Sequence, residues 1–85
     1  MKNKRDRLKK IRQTLGLSQT KFGVLINRSL STVRYWEDTH PILTNDVKES
    51  LRFVGINADF IETGEGSMFT ENIDSVKRKV YKIID

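Results

Sequence analysis

Cysteine is absent from the 85 residues, which excludes disulfides and thiolate metal sites and suits a reducing cytoplasm. Histidine occurs once, at His40, and a lone imidazole without cysteine supplies neither a metal-ligand set nor an acid–base pair. No nucleophile motif or metal-ligand spacing is present either. The expectation is therefore no enzyme, no metal, no cofactor and no evident small-molecule ligand. No apolar run approaches the roughly eighteen residues of a membrane span, and the basic start is not followed by the apolar region of a signal peptide. Asn27-Arg28-Ser29 matches a glycosylation sequon, which carries no weight where nothing suggests secretion.

What is present is charge, unevenly spread. The chain carries a formal +5 and is long enough for one domain, near the size at which a single core just suffices. Residues 1–37 hold ten Lys/Arg against two acids, a local +8. Residues 38–74 hold two against eight, a local −6, and residues 75–85 hold four against one, +3. Positive charge gathered on one segment is the pattern of a nucleic-acid footprint, although a solvated face can also be basic.

That basic segment contains the stretch around which the chain is organised, SQTKFGVLINRSLSTVRYWE, Ser18 to Glu37. Phe22, Leu25 and Ile26 fall three and four apart and share one helix face. Asn27 tolerates the left-handed conformation of a sharp corner. Ser29 is the expected N-cap of a second helix, with Val33 and Trp36 on its inner side. Leu30, Ser31, Arg34 and Tyr35 are left facing outward. A short helix with an apolar back and small, polar and cationic groups in front fits a major groove. The pattern is a helix-turn-helix.

Ser18-Gln19, Phe22, Gly23, Asn27, Val33 and Trp36-Glu37 stand at the spacing of the Cro/C1-type (XRE) family of phage and bacterial repressors, which the stretch resembles. Gly23 replaces the usual Ala, at about 1 kcal/mol in helix propensity. Asn27 stands where Gly is commonest, and Arg28 where a small apolar residue is usual. The likeness extends over residues 5 to 69. It implies an all-α, five-helix lambda-repressor-like DNA-binding domain over residues 1–69, with the helix-turn-helix at about 18–37 and a C-terminal amphipathic helix over 70–85. It further implies that Arg12 pairs with Glu37, clamping helix 1 to helix 3, and that Gln19 donates to a DNA phosphate. Arg28, Ser29, Leu30, Ser31, Arg34, Tyr35 and His40 complete the expected DNA contacts.

Residue patterns fill in the rest. The lead-in MKNKRDR is basic, with a tip expected to be disordered. Helix 1 is expected over about Arg5 to Leu15, with Leu8, Ile11 and Leu15 buried and Gly16 as its left-handed stop. Arg34 can donate two bonds to guanine, Ser31 can serve base or phosphate, and Leu30 can only touch a thymine methyl or pack elsewhere. His40, in the loop DTHPIL, is either a phosphate contact or a solvated side chain. Helix 4 starts near Thr44 or Asn45, buries Val47, Leu51 and Val54, and closes at Gly55. The stretch that follows resembles the fifth-helix region of CI-type repressors, which implies Asn57 as its cap and Phe60 and Ile61 as its buried pair. Its Gly64-Glu65-Gly66 exit is no phosphate cradle, because two glutamates flank it and no strand precedes it.

In the last helix Ile73, Val76, Val80, Ile83 and Ile84 recur at three and four, opposite Lys77, Arg78, Lys79 and Lys82. Such a stripe must be covered. Dimerisation is the preferred expectation, and folding back on the domain the alternative. Membrane adsorption is disfavoured by the scarcity of bulky aromatics. The functional expectation is a sequence-specific, double-stranded DNA-binding transcription regulator of phage or bacterial type, a cytoplasmic homodimer repressor on a palindromic operator. Longer CI-type relatives carry a further C-terminal domain, so the chain is a short regulator or a fragment. The alternative is an antitoxin or protein-interaction module whose C-terminal helix binds a partner protein.

Overall fold

The computed structural model describes residues 3–85, so Met1 and Lys2, the tip of the basic lead-in, lie outside the described residues. Local sequence decides where each helix starts and stops. Asn3 turns the chain into α1 (Lys4–Thr14), its side-chain oxygen accepting the Asp6 amide. Ser18 does the same for α2 (Gln19–Ile26) through the Lys21 amide, and Ser29 for α3 (Leu30–Asp38) through the Thr32 amide. Each cap satisfies a backbone donor that has no partner inside the helix. Between α2 and α3, Asn27 stands at φ 57° and ψ 50°, the left-handed corner its side chain makes tolerable. α4 (Asn45–Phe53) follows Thr44, α5 (Ala58–Thr63) is capped by Asn57, and α6 (Ile73–Ile84) by Asn72. Among the described residues there is no strand, only an isolated antiparallel bridge between Ile56 and Phe69.

The six helices of the described residues close on one core. Leu8, Ile11 and Leu15 from α1 and its end meet Phe22 and Ile26 of α2, Val33 of α3 and Leu51 of α4, all essentially without exposed surface. α2 packs on α3 and α4, while α1 crosses α3 and α5. Full burial of such side chains stabilises by roughly 1.5–3 kcal/mol each, so α2 and α3 are fixed from behind by the bulk of the core. No helix among the described residues is long and apolar enough to cross a membrane.

The last helix corrects the preferred expectation. Val76 and Val80 are fully buried in the same core as Leu8 and Leu51, and so are not available to a dimer interface. Ile73 and Ile84 are half-buried, and only Ile83 of the expected dimerisation set keeps substantial exposure, at 43%. Tyr81 Oη donates to the Leu15 carbonyl at 2.8 Å, and Lys79 Nζ donates to both Glu71 carboxylate oxygens. Those bonds hold the Glu71 carboxyl below its usual range, Lys79 contributing first and the Ser75 hydroxyl next. α6 therefore docks on α2 of its own chain, and the core does not end at Phe69. Intramolecular docking wins because it covers the stripe without the loss of translational freedom that association entails.

Arg7 was not singled out by its sequence. It is buried, with Nε donating to the Ile61 carbonyl at 2.8 Å and Nη2 to the Glu62 carbonyl at 3.2 Å. A cation placed on the open carbonyls at the end of α5 suits the negative end of that helix. Gly64 makes room for it: a Cβ there would sit 3.2 Å from Arg7 Nη1, and its φ of 79° disfavours most side chains.

Gly23 is the most closely enclosed glycine of the described residues. A Cβ at this position would lie 2.4 Å from the Arg28 carbonyl oxygen, a backbone atom of the corner itself. Gly23→Ala is therefore expected to destabilise by about 1–3 kcal/mol in denaturant unfolding, despite a propensity gain of about 1 kcal/mol. An alanine variant as stable as the parent would show that the corner has slack.

Candidate nucleic-acid interface

α3 has two unlike sides. Val33, Trp36 and Glu37 are buried, whereas Ser31, Arg34, Tyr35 and Asp38 are exposed. These four fall at i, i+3, i+4 and i+7 and so share one face. Tyr35 is 63% exposed. Among the described residues, the Arg34 guanidinium makes no hydrogen bond or ion pair with the chain, leaving its planar fork free for an outside acceptor. Leu30, expected to face outward, is instead half-buried. Asp38 was missed in the sequence, though its spacing from Ser31 signalled it. It places one acid at the C-terminal end of an otherwise neutral and cationic face, where it can accept from a donor such as a cytosine amine. Arg5 reaches the same end of α3 and donates to the Asp38 carbonyl at 3.2 Å.

Behind this face lies a closed polar cluster. Arg12 donates through Nε to Glu37 Oε2 at 2.6 Å and through Nη2 to Glu37 Oε1 at 3.0 Å. Its Nη1 donates to the Leu17 carbonyl at 2.8 Å. The side chains of Arg12 and Glu37 are only 12% and 3% exposed, so this is the forked arginine–carboxylate pair that the resemblance implied. Gln19 joins it, Nε2 donating to Glu37 Oε1 at 3.1 Å. Its amide is thereby held at the first residue of α2, with a second N–H still to give. One carboxylate thus ties α1, α2 and α3 together, and no buried side-chain polar atom of the described residues lacks a partner.

Other residues expected at the interface have partners within the chain. Arg28 Nη2 donates to Asp46 Oδ2 at 3.0 Å and to Thr44 Oγ1 at 3.2 Å, while Nη1 donates to the Asn27 carbonyl at 2.9 Å. It braces the corner against the start of α4. The Thr44 hydroxyl, first, and then the Arg28 guanidinium hold the Asp46 carboxyl below its usual range. Ser29 spends its hydroxyl on capping α3. His40 is exposed in the loop after α3, which is pinned on either side of Ile42 by buried Pro41 and Leu43. No group of three metal-ligating side chains gathers among the described residues.

The geometry thus assembles Ser31, Arg34, Tyr35 and Asp38 on one rigid, outward face, with Gln19 oriented beside it by Glu37. It withdraws Arg28 and, in part, Leu30. In comparisons with protein-family models, curated proteins and solved structures, nothing matches this chain.

Proposed function

We propose that the protein is a sequence-specific, double-stranded DNA-binding transcription regulator, a repressor of phage or bacterial type that binds a palindromic operator as a homodimer in the cytoplasm. The observation that carries this reading is the exposed face of α3, whose Arg34 fork has no partner among the described residues while its back is locked by Val33, Trp36 and Glu37. A helix so mounted can lie in a major groove without rearrangement, and its preorganised donors need not be ordered on binding. The tight α2–Asn27–α3 corner and the surrounding helices favour a lambda-repressor-like arrangement, here with α6 folded into the core. One such helix reads few base pairs, so genomic specificity asks for two half-sites. Selection of bound duplexes from a random library tests the proposal: a palindromic consensus is expected, and no enrichment would refute it.

Roles within the face follow from chemistry. Arg34 is assigned to base reading and Gln19, braced by Glu37, to the phosphate backbone. Arg34→Ala should cost about 1–3 kcal/mol on the selected site and relax preference at one base pair. Gln19→Ala should weaken selected and random duplexes by similar factors. Titrations of both variants against both duplexes check this, and an Arg34→Ala loss that is equal on both would reverse the assignment. The alternative of a partner-capturing C-terminal helix loses its main support, because Val76 and Val80 are already buried in the domain.

A further inference from the structure

With α6 docked, apolar side chains still stand open on the surface, among them Val24, Ile42, Phe53 and Ile83. Phe53, at the end of α4, is 75% exposed. It stands two residues past Leu51, about 200° round the helix, so no rotation of α4 can bury both. Beside it opens a hollow of about 370 Å³ lined by Leu25, Glu49, Ser50, Phe53 and Ile83. α2, α4 and α6 each contribute to it, and no exposed residue of α3 does.

We infer that this face is the contact between two copies of the chain, with Phe53 of each copy seated in the other's hollow. The inference rests on the homodimer reading above and names its surface. A two-fold interface must be its own complement, and a projecting aromatic ring next to a hollow walled in part by Leu25 and Ile83 meets that demand on one face. Charge points the same way. The chain as a whole is +5, so two copies repel over most orientations. Here, however, the rim carries Glu49, and exposed Lys82 directly precedes Ile83. Neither has an ion-pair partner among the described residues. The two-fold arrangement sets Glu49 of one copy toward Lys82 of the other. An aromatic side chain buries roughly 150–250 Å², so two Phe53 rings account for about 300–500 Å² of an interface whose stable forms bury roughly 1,200 Å² or more, and the dimer is weak in the absence of DNA. The exposed face of α3 stays free in both copies.

Sedimentation of the full chain from low micromolar to near-millimolar concentration tests this. A reversible dimer is expected. Phe53→Ser, at a position that the core does not use, should weaken it by roughly 30-fold or more, the effect of losing an aromatic anchor, with the helical circular dichroism unchanged. Glu49→Lys and Lys82→Glu should each weaken it, and the two together should restore it. A chain monomeric throughout, whether the hollow takes another protein or nothing, overturns the inference. So does a dimer indifferent to Phe53→Ser, or one that the combined charge reversal fails to restore. Binding of Phe53→Ser to a single half-site duplex at low salt separates the two claims. Retained binding with lost dimerisation supports both, whereas a parent chain that dimerises through Phe53 but binds no duplex refutes only the DNA reading.

Discussion

Affinity for duplex DNA is expected to collapse with salt, and by less than the raw charge of the chain suggests. The first 37 residues carry ten Lys/Arg, but the structure commits several of them elsewhere. Arg7 closes α5, Arg12 is paired with Glu37, Arg28 with Asp46 and Lys4 with Glu62. A cation already neutralised by the chain releases little from the counterion atmosphere of DNA. With about three phosphates neutralised per copy, the slope of about −0.9 per phosphate gives a loss of roughly fortyfold per half-site, and on the order of a thousandfold or more for a dimer, between about 50 and 200 mM salt. Fluorescence anisotropy on a labelled duplex across that range measures it. Undetectable binding at the low end removes the central proposal. A slope far steeper than this would mean that the internal pairs open on DNA.

Most of the helix boundaries were legible because the residues that set them act within a few positions of themselves. Ser18, Ser29 and Asn57 cap the helices that follow them, and Gly16, Asn27 and Gly64 take the left-handed conformation that ends the helices before them. Apolar spacing gave the buried sides of α1 to α4 for the same local reason, whereas the buried pair of α5 came through the resemblance. Partners distant in sequence were harder. Arg7 finds the carbonyls of α5 across 54 residues. The available signal was only its position four before Ile11, at the edge of the buried stripe. Arg28 finds Asp46 only once the loop after α3 has placed the start of α4 beside the corner. The destination of α6 was illegible in principle: a stripe such as Val76 and Val80 states that it will be covered, not by what.

The candidate site divides along the same line. Ser31, Arg34 and Tyr35 lie on one helix, and their common face follows from spacing alone, as that of Asp38 also does. The Arg12–Glu37 pair was accessible only through resemblance, since nothing local links residues 25 apart. Gln19 shows the limit. Its position at the start of α2 was evident, but its bond to Glu37 makes it part of the scaffold as well as of the expected contact surface.

That bond is why removing Glu37 is expected to damage stability and DNA binding together. Glu37→Ala strands Arg12, whose side chain is only 12% exposed, with one remaining acceptor, the Leu17 carbonyl. It also frees Gln19. Truncating one member of a largely buried pair typically costs about 3–5 kcal/mol, against a total of about 5–15 kcal/mol for a small domain. At roughly 4–8 °C per kcal/mol for a domain of this size, melting should fall by well over 10 °C. The double variant Arg12→Met with Glu37→Leu removes both charges and keeps apolar volume, so it should recover most of that loss, since a well-packed apolar pair often matches a buried ion pair. Stability and binding should then part company. The double variant regains its melting temperature, yet binds duplex DNA less tightly than the parent, because Gln19 has lost the carboxylate that aims its amide. If Glu37→Ala melts like the parent, the pair contributes no net stability. If the double variant binds DNA as the parent does, Glu37 supports the fold of the α2–α3 corner and has no part in orienting Gln19.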